Sequence, residues 1–268
     1  MRYLLKSMPL LIAVSLFAMI GLVGCADSAT NPSDGQGEVR MRMVDAPSEA
    51  EAVVVVVSRV EVHTAGSDST SGWRTVNDQP ASYDLLTLRN GASAVLGSAM
   101  LDSGHYTQIR LILGDGSYVT VDSVDHPLTV SSGFETGVKL NHQFTLAPGE
   151  VYELYLDFDA DRSVEMNGSG EYKLKPVIRV QKQDVAGSIS GTVTPLSAGA
   201  HIWTTVGDDT VSTYAEADGS FKLMALPEGI YIVHVESISE LYLDAVVPGV
   251  VVTKLSNTSM GSITLAGK

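Results

Sequence analysis

A long β-strand is predicted at residues 52–63, whose sequence is AVVVVVSRVEVH. The first half of this stretch is apolar and mostly β-branched, which favours an extended chain that is buried on both faces. From Arg59 to His63 polar and apolar side chains alternate with a period of two, as they do in a strand with one face in water. The stretch therefore predicts a strand that is buried at one end and half-exposed at the other.

The same strand-like patterning continues over most of the chain beyond the N-terminal region. In VRMRMV, residues 39–44, the two arginines face one way and the apolar side chains face the other. Turn pairs such as Asn90-Gly91 and Asp115-Gly116 separate successive strand candidates, and only residues 92–100 suggest a short helix. About ten such strands without regular intervening helices indicate an antiparallel sandwich or barrel. We predict an all-β chain with two antiparallel β-sandwich domains in tandem.

The composition of the chain excludes several functions. With 31 acidic and 17 basic residues the formal charge is -14, and the resulting field repels nucleic acids and anionic lipid headgroups. The hydrophobic fraction of 44% is too high for a disordered protein. The single cysteine rules out an internal disulfide and a thiolate zinc site, because both need several thiols.

The N-terminal segment resembles a bacterial lipoprotein signal. Two basic residues precede an uncharged and largely apolar run at residues 10–23, which is too short to span a bilayer comfortably. The run ends in Leu22-Val23-Gly24-Cys25. This sequence is similar to the lipobox, where the signal peptidase cuts before a cysteine that carries a diacylglyceryl group. The resemblance implies a signal peptide at residues 1–24 and an N-terminal lipid on Cys25 that tethers the protein to the membrane.

Residues 25–37 are predicted to be the lipidated cysteine and a flexible tether. After Cys25 they are rich in Ser, Asp, Gly, Asn and Pro and lack apolar periodicity. The next residue is Ala26, whereas Asp at that position favours the inner membrane in the sorting rule known for enterobacterial lipoproteins. We therefore expect a lipid-anchored protein of the bacterial cell envelope, held at the outer membrane on either its periplasmic or its surface side.

A larger β-domain is predicted at residues 38–182. Five sequence blocks occur in it in this order: MVDAP at 43–47, QIRL at 108–111, GVKL at 137–140, LDFDADRS at 156–163 and LKPVI at 174–178. Together they resemble the bacterial family known as domain of unknown function 4382, whose members are commonly lipoproteins with a T-D-A-P motif. Val44 replaces the Thr of that motif here. The resemblance implies no activity.

A second, smaller β-domain is predicted at residues 187–267, after a break in the strand pattern. It begins with GSISGTV at 187–193 and continues with DGSF at 218–221 and LPEGIY at 226–231. These segments resemble the carboxypeptidase regulatory-like family of small transthyretin-like sandwiches. The resemblance implies the fold of this domain, and it implies no peptidase chemistry.

The strongest carboxylate cluster in the sequence consists of Asp157, Asp159 and Asp161. In a strand, Asp157 and Asp159 lie on one face about 6.6 Å apart, and Asp161 joins them if the extended geometry persists. Three carboxylates on one face could hold Ca²⁺, which is the one cofactor that the sequence suggests. The more common alternative is a solvated face, or ion pairs with one of three basic residues: Arg110, Arg162 or Lys175.

The sequence contains no recognisable catalytic constellation. The six histidines show no metal-ligand spacing, and there is no G-x-S-x-G elbow, phosphate-binding loop or dinucleotide fingerprint. Lipidation of Cys25 would also remove the only thiol nucleophile. Asp45, in the Asp-Ala-Pro corner, is expected to cap a turn. We therefore expect a protein without enzymatic activity.

Binding is the class of function that the sequence favours. We predict a non-enzymatic, membrane-tethered scaffold or protein-interaction module whose partner is an envelope protein. The first alternative is a carbohydrate-binding lipoprotein in which Trp73 and Trp203 stack on sugar rings, although strand tryptophans more often pack in a core. The second alternative is an adhesin-like envelope module that Ca²⁺ stabilises.

Overall fold

The computed structural model describes residues 35–46, 48, 50–130 and 136–268. The predicted signal peptide, Cys25 and most of the predicted tether lie outside the described residues. No helix within the described ranges is long and apolar enough to cross a membrane. All described residues belong to one compact unit, Pro32–Lys268.

The described chain consists almost entirely of β-strands, which confirms the all-β prediction. The strands before residue 183 are β1 (Gln36–Ala46), β2 (Ala52–Thr64), β3 (Trp73–Asn77), β4 (Ala81–Asp84), β5 (Ala94–Asp102), β6 (Gly104–Leu113), β7 (Tyr118–Val121), β8 (Val124–Val130), β9 (Val138–Leu146), β10 (Val151–Asp159), β11 (Val164–Met166), β12 (Tyr172–Leu174) and β13 (Ile178–Lys182). The strands after it are β14 (Ala186–Thr194), β15 (His201–Val206), β16 (Asp209–Tyr214), β17 (Ser220–Pro227), β18 (Gly229–Glu236), β19 (Ala245–Val252) and β20 (Asn257–Thr264). A short helix, α1 (Ala160–Ser163), connects β10 to β11, and 3₁₀ turns lie at Leu85–Thr87, Gln183–Val185 and Leu196–Ala198.

Strands β1 to β13 form the first sandwich. One of its sheets has the order β13-β10-β1-β5, and the other has the order β11-β12-β8-β7-β2-β6-β9, with β3 and β4 also paired to β2. The apolar faces of both sheets contribute to one core, to which β1 supplies Met41 and β2 supplies Val55. Most neighbours are antiparallel, but β1 runs parallel to β10 and β12 runs parallel to β8.

Strand β2 is the long strand that the sequence predicts at residues 52–63. Five of its valines enter the core, whereas Val54 and Val56 lie on the opposite face and Val56 is half-buried. The prediction of a half-exposed second part is wrong for Glu61 and His63, which are 5% and 7% exposed. Arg110 on β6 forms an ion pair with Glu61, and the Trp73 ring lies edge-on against His63, so neighbouring strands cover both side chains.

The short helix suggested at residues 92–100 is wrong, because this segment forms β5 and pairs antiparallel with β1. Leu96 and Leu101 are buried in the first core, while Val95, which precedes Leu96, faces solvent. Hydrogen bonding to a neighbouring strand and burial of these leucines override the weak local preference for helix. The pairing register shifts between Met41 and Arg42, whose partners are Gly97 and Val95, so the extra residue Leu96 forms a bulge in β5.

Strands β14 to β20 form the second sandwich. Its two sheets have the orders β17-β14-β20 and β16-β15-β18-β19, and β14 runs parallel to β20. Alternate side chains of each strand enter a separate core, which includes Ile189, Ile202, Phe221 and Val233. Each sandwich therefore buries its own apolar side chains.

Asn90 connects the two sandwiches. Its Nδ2 donates to the carbonyl oxygen of Tyr214 at 3.0 Å, and its Oδ1 accepts from Thr213 Oγ1 at 2.8 Å and from the backbone N of Lys222 at 2.9 Å. Nδ2 also donates to the carboxylate of Glu216. Asn90 has a φ of 54°, which Asn tolerates better than most residues and which belongs to the Asn-Gly turn that the sequence predicts.

Arg179 on β13 forms a second connection between the sandwiches. Its Nη2 donates to Asp157 Oδ2 in the first sandwich at 2.7 Å, and its Nη1 donates to the carbonyl oxygen of Ala225 in the second sandwich at 2.8 Å. The Arg179 side chain is largely buried. Because these contacts are charge-assisted and shielded from water, they hold the sandwiches in a fixed relation.

Candidate functional site

Trp73 is held by contacts within the first sandwich. The Arg110 guanidinium carbon lies 4.0 Å from the centroid of the Trp73 ring, and the His63 ring meets it edge-on at 4.9 Å. The indole Nε1 donates to the carbonyl oxygen of Ser69 at 3.0 Å. One face and the polar edge of the ring are therefore already occupied, which leaves Trp73 poorly placed to stack on a sugar.

Trp203 lies on the outer face of the second sandwich. Its neighbours in β15, Ile202 and Thr204, point into the core and are almost fully buried, so Trp203 points the other way and is half-buried. It stacks on His234 of β18, with ring centroids 3.8 Å apart and planes 5° from parallel. This pair stands in cross-strand register, as the pairing of β15 with β18 requires.

An apolar surface extends from Trp203 across β18 and β19. Ile230 and Val251 face each other across these strands and are 76% and 54% exposed, and Val246 lies opposite His234. Ile232 is exposed between them. We call this surface the outer apolar face and define it by six residues: Trp203, Ile230, Ile232, His234, Val246 and Val251. None of them is acidic, although the chain carries a formal charge of -14.

The sequence of β18 contains a pattern that indicates the outer apolar face. Strand β18 reads GIYIVHVE, in which apolar residues occupy positions on both faces of the strand. Such a continuous run normally indicates a strand covered on both sides. The core covers Val233 and Val235, whereas nothing in the described residues covers Ile230 and Ile232.

Asp157 and Asp159 lie on the same face of β10, as the alternation predicts, but Asp161 does not join them. Asp157 is buried and forms an ion pair with Arg179, and Asp159 accepts from the backbone N of Arg162 as the N-cap of α1. Because the chain turns into α1, Asp161 lies on the exposed side of that helix instead of continuing the strand. Within the described ranges, no group of three His, Cys, Asp or Glu side chains is arranged to hold a metal ion.

Of the three basic residues considered as partners for this cluster, only Arg162 contacts it. Arg162 Nη1 lies 3.8 Å from Asp159 Oδ2 and 3.9 Å from Asp209 Oδ1 of the second sandwich. Arg110 and Lys175 instead pair with Glu61 and Glu165. Burial raises the pKa of Asp159 above its ordinary value, and the helix-capping bond and Arg162 partly oppose that effect.

The sequence predicts that Asp45 caps its own turn; within the described residues it contacts a distant part of the chain instead. Its Oδ1 accepts from the backbone N of Ala160, at the start of α1, at 3.2 Å. The side chain is 6% exposed and its Oδ2 has no hydrogen-bond partner in the described residues. Burial, followed by the nearby Asp157 carboxylate, raises the pKa of Asp45 well above its ordinary value.

The sequence matches one protein family over more than half of its length. The model of the family described as "Domain of unknown function (DUF4382)" matches residues 36–176. This range contains four complete sequence blocks from which the resemblance was inferred and most of the fifth. No curated protein matches the chain.

The solved structures that match this chain are remote in both sequence and structure. The minor pilin GBS52 of Streptococcus agalactiae has 9% identity and a TM-score of 0.25, over 85% of this chain and 96% of its own. The shaft pilin SpaA of Lactobacillus rhamnosus GG has 9% identity and a TM-score of 0.27, over 88% and 98%. The TIE protein of Bacillus anthracis has 12% identity and a TM-score of 0.23. The match covers 86% of this chain but only 34% of the TIE protein. At these TM-scores, function must be argued from the chain's own residues.

Proposed function

Because the chain belongs to the DUF4382 family, whose description assigns no activity, we propose its function from its surface: a non-enzymatic protein-interaction module of the bacterial cell envelope. The observation that carries the proposal is the outer apolar face. Exposed apolar patches that lie together on one surface mark sites of interaction, because a monomeric protein gains nothing by leaving them in water.

The chemistry of the outer apolar face suits a protein partner. Ile230, Ile232, Val246 and Val251 are β-branched, so they lose little rotamer freedom when a partner covers them. Trp203 offers a large and rigid side chain, of the type that supplies much of the binding energy in protein interfaces. Glu236 continues the same side of β18 beyond His234, so the face has an acidic residue at one end and an apolar centre.

Two parts of the proposal rest on sequence resemblance. The lipobox-like sequence that ends at Cys25 supports an N-terminal lipid anchor, and Ala26 supports the outer membrane as its location. The segments at 187–193, 218–221 and 226–231 support the assignment of the second sandwich to the carboxypeptidase regulatory-like type. In this arrangement the lipid localises the protein and the second sandwich binds the partner.

Photo-crosslinking in cells tests the proposal. A photoreactive amino acid replaces Ile230 in the full chain, and in a control chain it replaces Val95, which is 57% exposed on β5 of the first sandwich. We expect one discrete crosslinked protein from position 230 and none from position 95. Adding Ile232→Glu should abolish the product, because it places a charge within the face. Equal products from both positions, or no product from position 230, would contradict the proposal.

Carbohydrate binding is the second candidate, and the half-exposed Trp203 ring favours it. Electrophoresis through gels that contain neutral polysaccharides provides the test. If sugars bind this ring, Trp203→Ala should lose the retardation that the unmodified chain shows. Trp73→Ala is the matched control and should retain it, because Arg110 covers that ring. Unretarded migration of the unmodified chain in every gel would refute this candidate.

A further inference from the structure

A cleft of about 260 Å³ lies between the two sandwiches. The second sandwich lines it with the outer side of the sheet β17-β14-β20, through Ser188, Lys222 and Asn257, and the first sandwich contributes Tyr155 of β10. Gln183, in the connection between the sandwiches, completes the polar part of the lining. The cleft is separate from the outer apolar face, which belongs to the opposite sheet of the second sandwich.

Three polar side chains of the cleft have no protein partner. Tyr155 Oη, the Gln183 amide and Lys222 Nζ form neither a hydrogen bond nor an ion pair with any described residue. By contrast, the hydroxyls of Tyr106 and Tyr231 each donate to a backbone carbonyl at 2.7 Å. A concave surface on which several unpaired polar groups meet is the usual form of a small-molecule site.

Lys222 is the charged residue of the cleft, and the junction between the sandwiches fixes its position. Its backbone N donates to Asn90 Oδ1, and its side chain passes so close to Gly91 that a Cβ there would lie 3.3 Å from Lys222 Cδ. No carboxylate in the described part of the chain lies within 4.0 Å of its Nζ. An ammonium group without a counter-ion favours an anionic ligand.

The backbone at the edge of the cleft is strained. Ala225 is buried, has a φ of 54° and lies where the pairing between β14 and β17 loses its regular register. A non-glycine residue with this φ is uncommon, and such residues persist only when the surrounding contacts hold them. Here Arg179 of the first sandwich holds the Ala225 carbonyl at 2.8 Å, so the irregular segment is part of the contact between the sandwiches.

We propose that the cleft binds a small hydroxylated carboxylate of the uronic acid class. Lys222 Nζ binds the carboxylate, and Tyr155 Oη and the Gln183 amide supply hydrogen-bonding groups for ring hydroxyls. The volume is just below the roughly 300–1,000 Å³ of pockets that hold drug-sized ligands, so it suits a single sugar ring. This binding activity is additional to the interaction proposed for the outer apolar face.

Calorimetric titration of the full mature chain in detergent with galacturonate, galactose and acetate tests the inference. We expect galacturonate to bind with a Kd near the millimolar range, which is typical of a small ligand with few contacts. Galactose lacks the charge and acetate lacks the hydroxyls, so each should bind at least about tenfold more weakly, which corresponds to about 1.4 kcal/mol. Equal binding of acetate, or no saturable binding of galacturonate, would overturn the proposal.

Variants of one lysine locate the site. Lys222→Met keeps the aliphatic stem and should raise the Kd for galacturonate about tenfold or more, whereas Lys222→Arg should keep it within a few fold. Lys173→Met, at an exposed position on β12, is the matched control and should leave the Kd unchanged. If Lys222→Met proves unstable, Tyr155→Phe replaces it and should weaken binding. Unchanged affinity in the cleft variants would refute the site, while Trp203→Ala should not affect it.

Discussion

Asp45 of the Asp-Ala-Pro motif contacts a segment that is distant in sequence. The Asp-Ala-Pro corner ends β1, and β1 runs parallel to β10, so Asp45 lies beside Phe158 at the end of the neighbouring strand. Its carboxylate reaches the backbone N of Ala160, where the chain enters α1. Two of the sequence blocks that identify the family therefore meet at one buried carboxyl group.

Replacing Asp45 by Asn should stabilise the protein at neutral pH. The raised pKa of Asp45 means that its contribution to stability is complete below its ordinary pKa of 3.8 and is lost as the pH rises through the folded-state pKa. Asn cannot ionise, so Asp45→Asn should increase the free energy of unfolding at pH 7 on the order of 1 kcal/mol. The gain over the unmodified chain should shrink as the pH falls towards 4.

Urea unfolding of both chains between pH 4 and pH 8 measures this effect. Asp161→Asn is the control, because Asp161 is exposed on α1 and its loss of charge should change the free energy of unfolding little. A lower stability of Asp45→Asn at pH 7, or a difference that does not vary with pH, would show that the carboxylate is not destabilised by burial.

Cys25 is the residue on which the proposed location depends. We expect Cys25→Ser to abolish metabolic labelling with a radioactive fatty acid and to leave the precursor uncut, because both steps require the thiol. The mass of the protein and the label in the membrane fraction are the measurements. Labelling that persists in the variant would show that the anchor lies elsewhere.

Strand β14 requires a glycine at position 187, because there is no space for a side chain there. Gly187 lies where the chain passes close to the segment that follows β19, and a Cβ at this position would lie 2.6 Å from Val252 Cγ1 and closer still to the Thr253 carbonyl oxygen. The Gly-x-Ile pattern at the start of the second sandwich therefore reflects steric crowding at its first residue.

Gly187→Ala should destabilise the second sandwich by about 1–3 kcal/mol, because backbone must move to admit the methyl group. Chemical denaturation in chains that also carry Trp73→Phe, so that only Trp203 contributes tryptophan fluorescence, measures the loss. Gly168→Ala provides the control, since nothing lies within 4 Å of a Cβ there. Similar stability of the two variants would mean that β14 adjusts without cost.

Period-two patterns predict most of the strands, but they do not predict which strands become neighbours. The alternation at residues 39–44 predicts β1 correctly, and nothing in it indicates that β10 will lie parallel beside it. Residues 92–100 have weak local preferences, so their pairing with β1 determines their structure. For the same reason the turn into α1 after Asp159, which separates Asp161 from the other carboxylates, could not be read from spacing.

At the scale of the molecule, Asn90 is expected to determine whether the two sandwiches unfold together. Asn90→Gly keeps a residue that tolerates the φ of 54° but removes all side-chain contacts to the second sandwich, including the bond from the buried Thr213 hydroxyl. We expect a loss of roughly 2–4 kcal/mol, estimated from a few hydrogen bonds of about 1 kcal/mol each. One thermal transition should separate into two.

Calorimetry of the intact chain tests this expectation. Asn167→Gly is the matched control, because Asn167 accepts hydrogen bonds from Ser169 and Glu171 within its own turn and does not contact the second sandwich. Exchange of the Lys222 amide, which donates to Asn90, should also become faster in the Asn90 variant. A single transition that is merely shifted would show that other contacts couple the sandwiches.

The sequence identifies one residue of the outer apolar face, Trp203, and none of the cleft. Trp203 was identified as a candidate from its type, but its pairing with His234 depends on the register of β15 with β18. Tyr155, Lys222 and Asn257 are far apart in sequence, and they line one cleft only because the sandwiches meet along that side. Sites that form between domains leave no spacing pattern in either domain.

The position of β1 has a mechanical consequence. This strand directly follows the proposed tether, and it lies between β10 and β5, to which it is paired along almost its whole length. If the proposed tether is pulled along the axis of β1, the hydrogen bonds on both sides of the strand are loaded together in shear rather than opened one after another. Such a strand resists extension from that end.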